Sequence, residues 1–428
     1  MMNVVFTSLS KTKYTLLSCA KIIGIMPSIS TAFTTQVLPC DPTSISFPSG
    51  CDHPEIASRE TFSSLKLASQ HLLSLQCVAF PTETVYGLGA LALNTLAASR
   101  IFSTKGRPPD NPLIVHVSSF TMLRTLLPKN YVLSEAYEVL VKHFWPGALT
   151  LLFPSDPDKI PRIITANQPT VAIRMPSHPV ARALIAVANV PIAAPSANSS
   201  GKPSPTKVKH VQRDLDGKVG LILDGGACGL GLESTVIDGL NADGNLRVLR
   251  PGGVTVEEIE RVLRANMKER IPEVLVHRRD YQDEGMEMAP TTPGMKYRHY
   301  SPSVPVILLL TASPPDGTEP TSTTSFLASL KDHITDSSRP LKIGILIPSD
   351  SALSTYFTPM QDIQWQVYPL GPTSDLSITA RRLFDGLLTL ENEDVDLILI
   401  EQVKEENEGL AIMNRVRKAA SASRWIRV

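Results

Sequence analysis

The fold of this chain is limited most by the position of its uninterrupted apolar runs and by the loops that end them. VPVILLL, from Val304, and LKIGILIP, from Leu341, contain no alternation of apolar and polar residues. Such runs predict strands covered on both faces, as in a parallel sheet between helical layers. Apolar spacing predicts helices over residues 374–390 and 409–420, with a further buried strand at 395–400 between them. Strands alternating with helices predict a small doubly wound α/β domain.

The first half repeats the pattern with shorter runs. Strands are predicted at 77–80, 112–117, 149–153, 171–174, 191–194, 221–223, 235–238 and 246–249. Helices are predicted over 60–75, 91–104, 134–144, 178–188 and 255–267. The last begins with Glu257, Glu258 and Glu260 and ends with Arg264 and Lys268, the order that complements a helix dipole. Residues 41–55, rich in Pro, Ser and Asp, read as linker, and so does the polar segment 269–303, which carries three tyrosines and a histidine between Tyr281 and Tyr300. The expected layout is an extension over 1–55, an α/β domain over 56–270, a linker over 271–303 and a second α/β domain over 304–428.

Several classes of function are disfavoured by composition. Lys and Arg number 41, as do Asp and Glu, so the net charge is zero. A protein built to grip a nucleic-acid backbone usually needs a basic excess. The five cysteines (Cys19, Cys40, Cys51, Cys77 and Cys228) include no C-x-x-C pair, which disfavours a zinc framework or a disulfide scaffold. Cys77 and Cys228 read as small core residues of a protein from a reducing compartment. No apolar run is long enough to span a membrane. Before Asp41 there is no acidic residue, while Lys11, Lys13 and Lys21 stand among many Ser and Thr. That reads either as a mitochondrial presequence or as an unstructured tail, and a start at Met26 would give a cytoplasmic form.

The chemistry gathers in loops at the ends of strands. PTETVYGLG combines hydroxyls, a carboxylate and glycines, the types that line a ligand. Lys105 and Arg107 flank a glycine, and Pro108 and Pro109 then remove backbone freedom, which pre-positions two cations for phosphate or carboxylate. Arg174 ends a strand, where side chains often face a cleft at the carboxyl edge of a sheet. His116, inside an apolar strand, reads by itself as a satisfied core residue. PSANSSGKPSPT offers dense donors on a stiff loop, and RPGG runs from Arg250 into a tight turn. GGACGLGLES is neither a P-loop nor a dinucleotide fingerprint, because it leads into a strand instead of a helix. No Ser-His-Asp order, zincin motif or acid pair stands out. The residue types point to electrostatic work on an anionic ligand, a phosphate above all.

Taken together, PTETVYGLG, KGRPPDNPLIVH, FWPGALTLLF, VAIRMPSHP, APSANSSGKPSPT, LESTVID and LRPGG resemble, in order and spacing, the YrdC-like threonylcarbamoyl-AMP synthases. APTTPGMKYRHYSP is similar to the linker of their two-domain members, with Thr292 where the family usually has serine, and GLAIMNRVRKAA resembles the end of their second domain. The resemblance covers about residues 60–428. It implies a twisted, open-sheet YrdC-like domain around a large basic cavity, followed by a smaller Rossmann-like domain. It also implies that L-threonine, bicarbonate or CO2, and ATP with Mg2+ give L-threonylcarbamoyl-adenylate and pyrophosphate. The product would pass to a separate tRNA-modifying transferase complex, with weak or no direct tRNA binding and no membrane.

The family's catalytic set falls on Lys105, Arg107, Ser196 and Asn198. ATP contacts fall on Arg107, Asn111, Thr170, Ser196, Ser204, Arg250 and Tyr300. Threonine contacts fall on Thr84, His116, Arg174, Ser234 and the backbone of Ala194, and Tyr297 and His299 are expected in a lid. The metal ligands are not implied. Two rivals remain: an RNA-binding module without catalysis, and a carbamoyltransferase of the hydrogenase-maturation type, whose zinc-finger units would need the C-x-x-C pairs this chain lacks.

Overall fold

The computed structural model describes residues 34–283, 290–292, 299–315, 317–330, 339–358 and 362–427. The presequence reading of residues 1–33 and the lid reading of Tyr297 fall outside these residues.

Eleven strands form the first sheet among the described residues. From one edge they run Gln36–Pro39, Leu221–Asp224, Val78–Phe80, Gly87–Leu91, Ile192–Ala193, Ile114–His116, Thr170–Arg174, Leu149–Pro154, Thr235–Asp238, Leu246–Arg250 and Val274–Val276. The sheet is mixed: Ile114–His116 pairs parallel with Thr170–Arg174, which pairs antiparallel with Leu149–Pro154. The helix Arg59–Leu73 is capped by Ser58, whose side chain accepts from the Thr61 amide, and it buries Leu65, Ala68 and Leu72 in the main core. The helix Val256–Asn266 starts at a full capping box between Thr255 and Glu258.

Three expectations need correction. The first sheet begins before residue 56: Gln36–Pro39 pairs with Leu221–Asp224, and Cys40 and Ile45 enter the core. The strand QVLP is too short to show a period of its own, and a hydrogen bond from Ser64 Oγ to Pro39 O (2.8 Å) ties it to the helix Arg59–Leu73. The sheet also continues past residue 270, because Val274–Val276 pairs with Leu246–Arg250. Finally, GLGA in PTETVYGLGA is strand rather than loop, antiparallel to Val78–Phe80. The glycine at 89 makes room for its neighbours: a Cβ there would stand 2.6 Å from the Phe80 ring and 2.8 Å from Ile192.

The second sheet runs Thr321–Ser322, Ala422–Arg427, Val306–Leu310, Leu397–Glu401, Leu341–Ile347 and Ile363–Pro369, all in parallel. Val306, Leu308, Ile398 and Ile400 point to one face, and Ile307, Leu309, Leu397 and Leu399 to the other. Both faces are covered, which accounts for the uninterrupted apolar runs. The helices Leu376–Asn392 and Glu408–Ala419 pack on the first face, and Thr323–Ser329 on the second.

The two domains meet through charge and close backbone approach. Glu391 takes Lys202 at 2.9 Å and Arg213 at 2.6 Å, and Asp385 takes Lys207 at 2.8 Å. Gly231 lies at φ +79, and a Cβ there would fall 2.4 Å from the Cα of Arg381. The glycine-rich GGACGLGLES therefore lets the helix Leu376–Asn392 press against the first domain.

Candidate active site

Parallel strands end side by side at the floor of a cavity. His116 and Arg174 are register partners at the ends of their strands, and Thr150 pairs with Arg174 from the other side. Around them the cavity is lined by Thr84, Lys105, Arg107, Ala194, Ser196, Asn198, Ser204, Ser234, Arg250, His299 and Tyr300, all expected from the sequence. Four loops and the linker thus converge on one place, although their residues span more than half of the chain.

Lys105 closes the helix Thr95–Lys105, which stops at Gly106 in the left-handed region, φ 62. Its ammonium is buried and donates to the carbonyls of Ser196 and Asn198 and to Asn198 Oδ1. Arg107 is buried too, with Nε donating to Asn111 O (3.2 Å) and Nη2 to Pro112 O (2.8 Å). Among the described residues neither cation has a carboxylate partner. Burial, and then the charge of Arg107, hold Lys105 well below its usual pKa. Burial, and then Arg250, pull Arg107 down to about 9. Carbonyl dipoles only partly offset such charges, so an incoming anion would be strongly favoured.

Arg174 is held differently. Its Nη2 meets Glu83 Oε1 at 2.6 Å, Nη1 donates to Thr84 Oγ1 at 2.9 Å, and Nε donates to Gly147 O at 3.1 Å. The Arg174 expected for a substrate carboxylate is already paired inside the chain. Burial, and then Arg174, hold His116 down to about 3, so its ring is neutral at neutral pH. Its Nδ1 lies 3.2 Å from Ile114 O. Ala194 donates its backbone amide to Ile114 O (3.0 Å), so that N–H is engaged. Ser234 Oγ lies 2.8 Å from Thr150 Oγ1, and Arg250 donates to Ser234 O at 2.9 Å.

Two expected nucleotide residues stand outside this lining. Among the described residues, the buried Asn111 has no hydrogen bond at either side-chain polar atom, and Thr170 has a buried hydroxyl without a partner at the start of its strand. Their unmet capacity suits a ligand group or water. Glu233 lines the cavity and was missed by sequence reasoning. The signal lay in LES, where the acid sits beside the serine that was read as a contact.

His299 and Tyr300 bring the linker to the cavity lining. Tyr300 is buried, lies at φ 65 and packs its ring 5.2 Å from Phe384 of the second domain. The cavity has about 70 Å3 of free space. That is far below the roughly 300–1,000 Å3 of small-molecule sites. No group of three or more His, Cys, Asp or Glu among the described residues is arranged to hold a metal. Glu83 and Glu233 are both paired with arginines.

The fold and this cavity define an α/β protein whose strand ends assemble a buried, cationic small-molecule site. A family model described as telomere recombination, covering the Sua5, YciO and YrdC proteins, matches residues 71–252. One described as the threonylcarbamoyl-AMP synthase C-terminal domain matches residues 254–421. The chain is 42% identical to threonylcarbamoyl-AMP synthase of Schizosaccharomyces pombe, covering 90% of this chain and 98% of that protein. It is 42% identical to the Bacillus subtilis enzyme of the same name, covering 81% of this chain and 89% of the relative. The crystal structure of P. abyssi Sua5 complexed with L-threonine superposes with a TM-score of 0.70 at 38% identity, covering 92% of this chain and 99% of that one. The chain belongs to the threonylcarbamoyl-AMP synthase family, in its two-domain form. Its relatives are enzymes by name. No helix among the described residues is long and apolar enough to cross a membrane.

Proposed function

We propose that the protein joins L-threonine, CO2 or bicarbonate, and ATP into L-threonylcarbamoyl-adenylate and pyrophosphate, a nucleotidyl transfer. The observation that carries this reading is the pair of buried cations, Lys105 and Arg107, which among the described residues hydrogen-bond to carbonyl and amide oxygens and to no carboxylate, at a cavity that also holds His116 and Arg174. The L-threonine bound to the P. abyssi relative supports threonine as a substrate here.

In this reading the threonine amine adds to CO2, forming an N–C bond and releasing a proton, to give a carbamate. A carbamate oxygen then attacks the α-phosphorus of ATP, and the bond to the bridging oxygen breaks as pyrophosphate leaves with the electron pair. Two anions must meet for this to happen. Arg107 and Arg250, with Lys105 bracing the carbonyls of Ser196 and Asn198, lower the repulsion. The neutral ring of His116 faces threonine without adding charge. Arg174, already bound to Glu83, orients the threonine carboxylate with its remaining in-plane N–H groups while Thr84 fixes its direction. His299 and Tyr300 act as the lid that keeps water from the carbamate. Mg2+ would enter on the triphosphate's own oxygens, since the described carboxylates at the cavity are taken by arginines. The product would pass to a separate tRNA-modifying transferase complex.

The test is incubation of the full chain with ATP, Mg2+, bicarbonate and labelled threonine, and then separation of the adenylate. The expected result is threonine-dependent pyrophosphate release that Arg107→Ala abolishes while the fold is retained. Wild-type turnover in both Lys105→Ala and Arg107→Ala would sink the reading, as would salt-sensitive RNA binding with no adenylate formed.

A further inference from the structure

The helix Glu408–Ala419 carries a guanidinium on its apolar face. Ile412, Arg415, Val416 and Ala419 share that face by their spacing, and Arg415 is 0% exposed. The side chain crosses into the first domain. Its Nε donates to Glu233 Oε2 at 3.1 Å, and Nη1 donates to Pro251 O and to Ala411 O, the latter at 3.3 Å. Its Cζ lies 5.9 Å from the Tyr300 ring centre. The other oxygen of Glu233 accepts from Ser204 Oγ at 2.5 Å. Glu233 and Ser204 both line the cavity, and Pro251 comes directly after Arg250. A continuous set of contacts therefore runs from the second domain to a hydroxyl at the site.

Packing does not explain an arginine here. Its Nη2 is buried with no hydrogen-bond partner among the described residues, and a buried ion pair is often replaced by apolar side chains at no loss of stability. What an apolar side chain could not do is orient a carboxylate. With Nε on one oxygen of Glu233, the other is aimed at Ser204, and the hydroxyl is held in one rotamer. In the first domain, Arg250 donates to Ser234.

We propose that Arg415 of the second domain is a positioning residue for the cavity. By fixing the Glu233 carboxylate it fixes the Ser204 hydroxyl, and so it sets how tightly the first domain holds a nucleoside triphosphate. The second domain on this view completes the site and is more than an appendage. The inference rests on the nucleotide reading of the cavity.

The test therefore reads affinity directly, by titrating the full chain with ATP and Mg2+ in the absence of threonine and bicarbonate. Wild-type binding without adenylate formation would remove the proposed reaction and leave this inference standing. Arg415→Met is expected to weaken ATP binding roughly tenfold or more, the scale of one hydrogen bond involving a charged group. Ser204→Ala is expected to do the same, and the double variant no worse than the weaker single, because the two act in one series. Arg415→Lys, which keeps the charge and a donor, should recover part of the loss. Wild-type affinity in Arg415→Met, or losses that multiply in the double variant, would overturn the proposal. Should Arg415→Met not fold, Glu233→Gln combined with it removes both charges together. That variant is expected to fold and to show the same loss, and wild-type affinity in it would equally overturn the proposal.

Discussion

Arg174 and Arg415 each meet a carboxylate, Glu83 and the buried Glu233, whereas Lys105 and Arg107, in the cavity wall, meet only neutral oxygens among the described residues. The first pair of arginines is balanced within the chain. The second pair of cations is left in deficit, and burial has already lowered their hold on their protons. Under the function proposed above, the cations in deficit would receive the phosphate end of the substrate, while Arg174, held in place by Glu83, would meet the threonine end.

Substitutions can separate the two kinds of cation. The largest effect is expected from Arg174→Met, which leaves Glu83 buried without its cation and should cost about 3–5 kcal/mol in urea unfolding. Arg107→Met should cost less than about 2 kcal/mol of stability, since it frees only carbonyls, yet lower turnover by roughly 100-fold or more. Equal stability losses in the two variants would erase the distinction. ATP with Mg2+ at about 100 times its Kd should stabilise the wild type by about 2.7 kcal/mol and Arg107→Met by much less, as read by thermal shift.

The carboxylates give a pH signature. Burial raises the pKa of Glu83 and of Glu233, but the neighbouring arginines and the hydrogen bonds each carboxylate accepts together outweigh it, so both groups titrate below their usual 4.5. The folded pKa is depressed, so their stabilisation is complete above 4.5 and is lost as pH falls through the folded values. In Arg174→Met burial acts on Glu83 without that cation, so its folded pKa should rise, and the stability loss should be largest at neutral pH and shrink as pH falls, by about 1.4 kcal/mol for each pKa unit of the shift. A loss that stays the same from neutral to acid pH would show that Glu83 does not depend on Arg174. The smallest effect is expected at Arg339 and Asp396, a pair 2.5 Å apart whose arginine is half exposed. Asp396→Asn should cost less than about 1 kcal/mol.

Much of the cavity was legible because its residues sit in loops with improbable local chemistry. Two cations around a glycine before a pair of prolines, or hydroxyls packed into PSANSSGKPSPT, have few bland explanations. The strands that end in these loops were legible from their apolar runs. Less was visible where a residue acts across domains. Arg415 stands in GLAIMNRVRKAA as one more cation of an amphipathic helix, and only its place on the apolar face hints at a buried partner. The glycines of GGACGLGLES fit neither phosphate-loop pattern, and only the fold shows that Gly231 serves the approach of Arg381. The edge strand Gln36–Pro39 was read as extension because four residues carry no period.

Local sequence was enough to set two α/β units, the order of most strands and helices, and the loops that carry the chemistry. These depend on composition and on periodicity, both of which survive without knowledge of neighbours. Which cations are balanced was set by tertiary contacts alone. Whether Arg174 faces Glu83, or Lys105 faces carbonyls, depends on strands and loops far apart in the chain meeting at one sheet edge. The second domain reaches the same site through Arg415, a contact between residues 182 positions apart that no local pattern encodes.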